Sequence, residues 1–395
     1  MNIGLIAGEY PPMQGGLGDF TRELARTMAI LGHSVHILAP VTSQASSHET
    51  LNGVHVHRVV QRWGWHTHRA VLDFVQAHQI EVLNLQYQAA AYQMHPAINL
   101  LPGTRIRDLS LNRKGLIPFI VTFHDLRVPY LFPKAGQLLR WQAILHMARS
   151  AAAAIVTNPE DEMTLHEAGV QRVVRIPIGS NITPAYSNSF DANMWRRAHA
   201  IPSDCTLIGY FGFMNESKGG ETLVRALATL RQAGQNVAVV QIGGQTGASD
   251  PTNIAYMKQL NQLAQSLGVQ AHIYATGFLD DRGVSEAFAA CACLALPYRD
   301  GVSFRRGTLM AALVHGCVII TTTPRVALPE VQHGINLWLV PPDAPEQLAD
   351  GIGQVLQNDE TRLQLRQGAL ALSQQFGWEQ IAAKTINALK STTHE

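Results

Sequence analysis

Arg305 and Arg306 stand side by side in a polar loop running from Asp300 to Thr308, between an apolar run ending at Leu296 and an apolar helical pattern ending near Gly316. A loop that opens a helix directly after a strand points unpaired backbone amides and the positive end of the helix dipole at whatever lies there. Anions are favoured at such a place, and guanidinium forks match phosphate oxygens. The chemistry indicated is capture of a phosphorylated ligand by Arg305, Arg306 and the amides of Gly307 and Thr308, with Asp300 and Ser303 beside it. A solvated helix start whose arginines face water is the other use of the same residues.

Three more groups could take part. Lys218, followed by Gly219 at the end of a loop that begins at Gly212, offers a flexible point charge for a diphosphate. The loop from Glu9 to Gly18 carries Gly15, Gly16 and Gly18, which let backbone approach a ligand, although their spacing is not the dinucleotide fingerprint. His124 and Asp125 close an apolar run, which places an imidazole and a carboxylate at the carboxyl edge of a sheet. Gln86, Tyr87 and Gln88 lie beyond another strand and could line a ligand cleft or simply pack a loop.

The elements that must position these groups alternate along the chain. Strands are expected at Ile3 to Ala7, Val35 to Leu38, Ile80 to Leu85, Phe119 to Phe123 and Ala153 to Thr157. Most are apolar on both faces, which suits a parallel sheet covered by helices. Phe20, Leu24, Ala25, Met28 and Leu31 recur at helical spacing before Gly32. From Val173 to Pro184 the chain turns rich in Pro, Gly and polar residues, a candidate hinge. A second series follows, with strands expected at Thr206 to Phe211, Asn236 to Ile242, His272 to Tyr274, Ala292 to Leu296, Val318 to Thr322 and Leu337 to Val340, and a helix over Glu221 to Ala233. The fold class is α/β with two doubly wound domains, 1–180 and 181–375, and a last helix in 376–395 packing back across them.

A length of 395 residues favours two domains over one core, and 46% hydrophobic with 15% charged residues describes a globular chain. A formal net charge of +1 gives no reason to expect bulk nucleic-acid binding. Met1 to Gly8 reads as a buried strand rather than a signal peptide, and no apolar run approaches the roughly 20 residues that span a bilayer, so a cytoplasmic location is expected. Arg62, Trp63 and Trp65, with the basic cluster Arg105, Arg107, Arg113 and Lys114, could touch anionic headgroups at the inner membrane face or form an ordinary solvated surface. Cys205, Cys291, Cys293 and Cys317 are expected as buried small hydrophobes. His55 and His57 share one face of a strand, as an exposed strand edge would show them, and no metal site is expected.

Taken together, these motifs resemble the GT-B glycosyltransferases, and within them the retaining group called glycosyltransferase family four. The resemblance rests on Glu9 to Pro12 with Gly15, Gly16 and Gly18, on Phe123 to Asp125, and on Ile176 to Gly179. Further matches are Gly212 to Gly219, Gly277 to Leu279, residues 297–316, and Pro329 and Glu330 with Gly334. It implies two Rossmann-like domains facing across a cleft, the first binding the acceptor and the second the sugar nucleotide. The implied activity is metal-independent transfer of a sugar from a nucleotide-sugar donor to a hydroxyl of a glycan, lipid-linked or small-molecule acceptor, with retention. No cofactor is needed beyond that co-substrate. By resemblance Lys218 contacts the diphosphate, His124 touches the transferred sugar, Gly16 and Gly212 approach the donor, and Gln86 and Tyr87 lie on the acceptor side.

The chain departs from the family at its centre. The arginine usually found a few residues before the lysine falls at Phe213, and the family's pair of glutamates falls at Ser303 and Ala311, or in another register at Asp300 and Thr308. Arg305 and Arg306 are expected to replace the missing cation, with Asp300 or Ser303 meeting the sugar. A nucleotide-sugar epimerase and a non-catalytic sugar-nucleotide or glycan-binding protein are the competing readings.

Overall fold

The computed structural model describes residues 1–13, 15–104, 106, 116–126, 136–187, 189–212, 215–244 and 251–393. Phe213 and the basic cluster Arg105, Arg107, Arg113 and Lys114 lie outside them. The chain forms two compact units, Met1–Asn181 with Phe376–Glu395, and Ile182–Gln375. Among the described residues no helix is long and apolar enough to cross a membrane.

The first unit is built on an eight-stranded sheet. Its strands are β1 (Asn2–Ala7), β2 (Ser34–Pro40), β3 (His48–Leu51), β4 (Val54–Val60), β5 (Val82–Tyr87), β6 (Phe119–Phe123), β7 (Ala153–Val156) and β8 (Val173–Arg175). The spatial order is β3-β4-β2-β1-β5-β6-β7-β8. All neighbours are parallel except β3 and β4, which form an antiparallel hairpin at one edge. The central strands are buried along their whole length, save for Asn2 at the start of β1, because helices cover both faces. These helices include α1 (Gly16–Ile30), α2 (Thr67–His78), α3 (Ala97–Leu100), α4 (Gly136–Ser150) and α5 (Pro159–Glu167). The sequence explains where α5 begins: Pro159 takes the first position and Asn158 accepts the Asp161 amide at 2.9 Å.

The second unit has a six-stranded, wholly parallel sheet, β9 (Thr206–Phe211), β10 (Val237–Ile242), β11 (Ile273–Ala275), β12 (Cys293–Leu296), β13 (Ile319–Thr322) and β14 (Trp338–Val340), in the order β11-β10-β9-β12-β13-β14. Its helices are α6 (Ala192–Ala198), α7 (Gly220–Gln232), α8 (Pro251–Ser266), α9 (Asp281–Ala290), α10 (Gly307–Val314), α11 (Pro345–Gln357) and α12 (Asp359–Ser373). The final helix, α13 (Trp378–Thr393), belongs to the first unit. There Ile381, Ile386 and Leu389 share a core with Leu17, Leu24 and Met28 of α1, and Trp378 donates to the Ser180 carbonyl at 2.7 Å.

Three sequence expectations change here. Val173 to Arg175, expected in the hinge, is the edge strand β8, paired with Ala154 to Val156. The imidazoles of His55 and His57 do not lie on an exposed edge: β3 pairs outside β4, and His57 is 8% exposed. Trp63 is not a solvated loop residue, since it is buried and donates its indole N–H to the Gly8 carbonyl at 3.1 Å, while Trp65 stays exposed. The four cysteines are buried free thiols.

Candidate active site

In the second unit the chain winds from β9 outward to β11 and from β12 outward to β14, so the strand order reverses between the adjacent strands β9 and β12. Open α/β sheets bind ligands at such a reversal, outside the carboxyl ends of the strands. The loop after β9 carries Gly212 and Lys218, and the loop after β12 carries Asp300, Ser303, Arg305 and Arg306. The topology therefore brings both sequence-predicted basic loops to one place.

Their contacts are close. Gly212 has φ +101°, and a Cβ on it would lie 2.8 Å from Thr308 Cγ2 and 3.2 Å from Lys218 Nζ, so the lysine and the start of α10 flank the same point. Gly219 has φ +70°, and a Cβ there would meet the Pro297 carbonyl oxygen at 1.8 Å. Only glycine allows this approach between the two loops. Arg299 reinforces it, with its amide donating to the Ser217 carbonyl at 3.0 Å and its guanidinium paired to Glu216 at 2.7 Å and Asp343 at 2.9 Å.

Asp300 holds both arginines, accepting from Arg305 at 3.0 Å and from Arg306 through its other oxygen. The Arg306 guanidinium also lies over the Tyr298 ring, and its Nε is buried with no hydrogen-bond partner. Ser303 caps the turn from within, its carbonyl accepting the Arg306 amide at 3.1 Å. Helix α10 starts at Gly307 with no side-chain cap and no acidic residue in its first turn. Helix geometry leaves the Gly307 and Thr308 amides without an acceptor inside the helix, and the space beside Gly307 is open. Burial first, and then the Arg306 charge, hold the Lys218 ammonium down to about 8. The sum is a half-buried cluster of cations and amides facing an uncapped helix.

In the first unit the corresponding reversal lies between β1 and β5. Gln86 and Tyr87, expected beyond the strand, are its last two residues, since β5 stays paired with Thr122 and Phe123 of β6. Tyr87 is buried, accepts from Asn99 at 3.2 Å, and its phenol is pushed up to about 12 by burial. Gln86 is also fully buried. Its carbonyl oxygen lies 2.9 Å from His124 Nε2, while its amide nitrogen donates to Asn84 Oδ1, which also accepts from Thr122 at 3.1 Å. With Gln86 accepting, His124 carries its proton on Nε2 and keeps a lone pair on Nδ1. Burial lowers the His124 imidazole to about 4, so it is neutral near pH 7.

The chain is similar over most of its length to proteins of known kind. Residues 15–179 match the model of the glycosyl transferase 4-like domain, and residues 205–358 match that of the glycosyl transferases group 1. The chain belongs to the group 1 glycosyltransferases. It is 25% identical to the phosphatidyl-myo-inositol mannosyltransferase of Mycobacterium tuberculosis over 99% of this chain and 97% of that protein. It is 27% identical to the D-inositol 3-phosphate glycosyltransferase of Xylanimonas cellulosilytica over 65% of this chain and 60% of that one. Among solved structures, the sucrose-phosphate synthase of Thermosynechococcus elongatus aligns with TM-score 0.76 at 19% identity, covering 99% and 98% of the two chains. The Anabaena HepE protein in complex with UDP and glucose aligns with TM-score 0.76 at 18% identity, covering 99% and 100%. The fold is GT-B, with two Rossmann-like domains.

Three residues beside these candidate groups had no individual role assigned from sequence. Tyr298 and Arg299 position the cations, yet a tyrosine and an arginine after a strand carry no motif signal. Glu9 takes the Leu17 amide at 3.2 Å, and Gly15 leaves room for it, because a Cβ there would lie 1.9 Å from the carboxylate. Burial raises the Glu9 carboxyl while the Gly18 and Leu17 amides pull it down. An internal carboxylate thus occupies the start of α1 beside Gly16, whereas α10 has none.

Proposed function

We propose that the chain transfers a sugar from a nucleotide-sugar donor bound by the second unit to a hydroxyl of a glycan, lipid-linked or small-molecule acceptor recognised by the first, with retention and without a metal. The carrying observation is Lys218: its half-buried ammonium lies beside Arg306 and near the uncapped start of α10, a concentration of positive charge and helix amides that favours an anion in addition to Asp300. A diphosphate supplies that anion. As the anomeric C–O bond breaks, negative charge grows on the leaving nucleoside diphosphate, and Lys218, Arg305, Arg306 and the Gly307 and Thr308 amides are already oriented to stabilise it.

The relatives support this reading: one group is named for mannosyl transfer to phosphatidyl-myo-inositol, and HepE was solved with UDP and glucose. On the acceptor side His124 offers a neutral imidazole whose Nδ1 can accept a hydrogen bond, and Gln86 fixes its tautomer. Exposed Trp65, with exposed Arg62 close by in the chain, is a feature suited to a weak contact with a membrane surface.

Calorimetry with UDP, GDP, ADP and TDP sugars tests the reading. One donor should bind to the wild type and be lost in Arg305→Glu and Lys218→Ala. Unchanged affinity in both variants would remove the second-unit site, isomerisation of donor without acceptor would indicate an epimerase, and an inverted product by NMR would remove retention.

A further inference from the structure

Five histidines gather on one face of the first unit's sheet, away from the residues described above. The register explains it: His36 of β2 pairs with His55 of β4, Leu38 pairs with His57, and His48 of β3 pairs with His57. Alternation along each strand then points His36, His48, His55 and His57 to the same side. Helix α2 covers that side and ends at His78, whose ring stacks on His57 at 3.9 Å and on His36 at 5.0 Å.

We propose that His36, His57 and His78 form a binding site for a divalent transition-metal ion of the zinc class, with His48 and Ser34 holding the ligand rings from outside. His36 Nδ1 and His57 Nε2 face each other at 3.2 Å. Two imidazole nitrogens on one tetrahedral zinc, each about 2.0–2.1 Å from it, stand roughly 3.4 Å apart. The ligand atoms of all three histidines lie within 4.8 Å of one another, so side-chain movements of about 1.4 Å bring the set to the spacing a tetrahedral ion needs.

The outer nitrogens are provided for as well. His36 Nε2 lies 3.1 Å from Ser34 Oγ, and His57 Nδ1 lies 3.1 Å from His48 Nδ1. Each partner can accept an N–H, which leaves both inward nitrogens with lone pairs to offer an ion. Metal-bound histidines are oriented in this way by a hydrogen bond on the far nitrogen. Neutral imidazole is the form that ligates, and burial among other imidazoles favours it. Three imidazoles suit zinc, copper or nickel, and leave a fourth position for water. Bound there, the ion would tie β2, β4 and the end of α2 together.

The test uses Co²⁺ as a visible probe on the full chain, stripped with chelator and with thiols reduced. One equivalent should bind with d–d bands of a low-coordinate nitrogen site, and Zn²⁺ should displace it and raise the melting temperature. His36→Gln and His78→Gln, checked for native circular dichroism, should each abolish saturable binding, and His48→Gln should weaken it about 10–100-fold. Absence of one-equivalent binding would overturn the proposal and leave a relay of neutral imidazoles. So would bands that persist in the His36→Gln/His78→Gln double variant, or a thiolate charge-transfer band marking the buried cysteines as the ligands.

Discussion

The Arg306 guanidinium lies 4.7 Å from the centroid of the Tyr298 ring, and the Tyr298 hydroxyl lies 2.7 Å from Thr308 Oγ1 at the start of α10. The ring therefore fixes the plane of the cation and the first turn of the helix together. Arg306→Lys keeps the charge but loses the planar stack on Tyr298 and the guanidinium contact with Asp300, and should weaken donor binding about tenfold. Tyr298→Phe removes one hydrogen bond and should cost about 1 kcal/mol of stability with a smaller loss of affinity. Calorimetry and urea denaturation on the two variants separate these effects.

Lys218 should give opposite pH trends for binding and stability. Its folded value, about 8, lies below the ordinary 10.5, so between these the unfolded chain binds more protons and the ligand-free protein gains stability as pH rises. Donor binding needs the ammonium, so affinity should fall as pH rises through about 8. Lys218→Met should flatten both curves, as donor titrations and denaturation midpoints from pH 7 to 10 would show.

His124 should titrate near pH 4 when followed by imidazole NMR. Its folded value lies below that of the unfolded chain, so stability from this group is present above about 6.5 and is lost as pH falls toward 4. His124→Gln should reduce the loss of stability between pH 7 and 5. Gln86→Leu frees Nε2 from its acceptor and should lower turnover more than donor affinity, which a comparison of kcat with donor Kd reads out.

Gly219→Ala should be among the most damaging single-methyl changes in the second unit. The left-handed backbone alone costs about 1–2 kcal/mol, and the new Cβ would drive the Lys218 loop away from Pro297. Denaturation should show at least that loss, with donor binding weakened further than by a distant destabilising variant of equal cost.

Much of the fold was legible because its signals are local. Phe119 to Phe123 and Thr206 to Phe211 are continuous apolar runs, and both are strands with those bounds. His48 to Leu51 was not legible as a strand, since His, Glu and Thr on an edge carry no apolar pattern and only pairing with β4 makes it one. Gln86 and Tyr87 show the same limit. A polar residue inside a buried strand reads as a loop until its partners, Asn84 and His124, are known. The basic character of the site came from Lys218, Arg305 and Arg306 directly. What stayed hidden were the residues that hold them: the grip of Asp300 on both arginines depends on a turn of the backbone that residue types alone do not specify.

The placement of α13 bears on how the polypeptide emerges from the ribosome. Unit two, Ile182–Gln375, is one uninterrupted segment and has all its strands before the last helix is synthesised. Unit one, although translated first, leaves the flank of α1 that meets Ile381, Ile386 and Leu389 bare until the end. The half made first is thus the half completed last, and a nascent chain stalled before Trp378 would expose that greasy flank to chaperones.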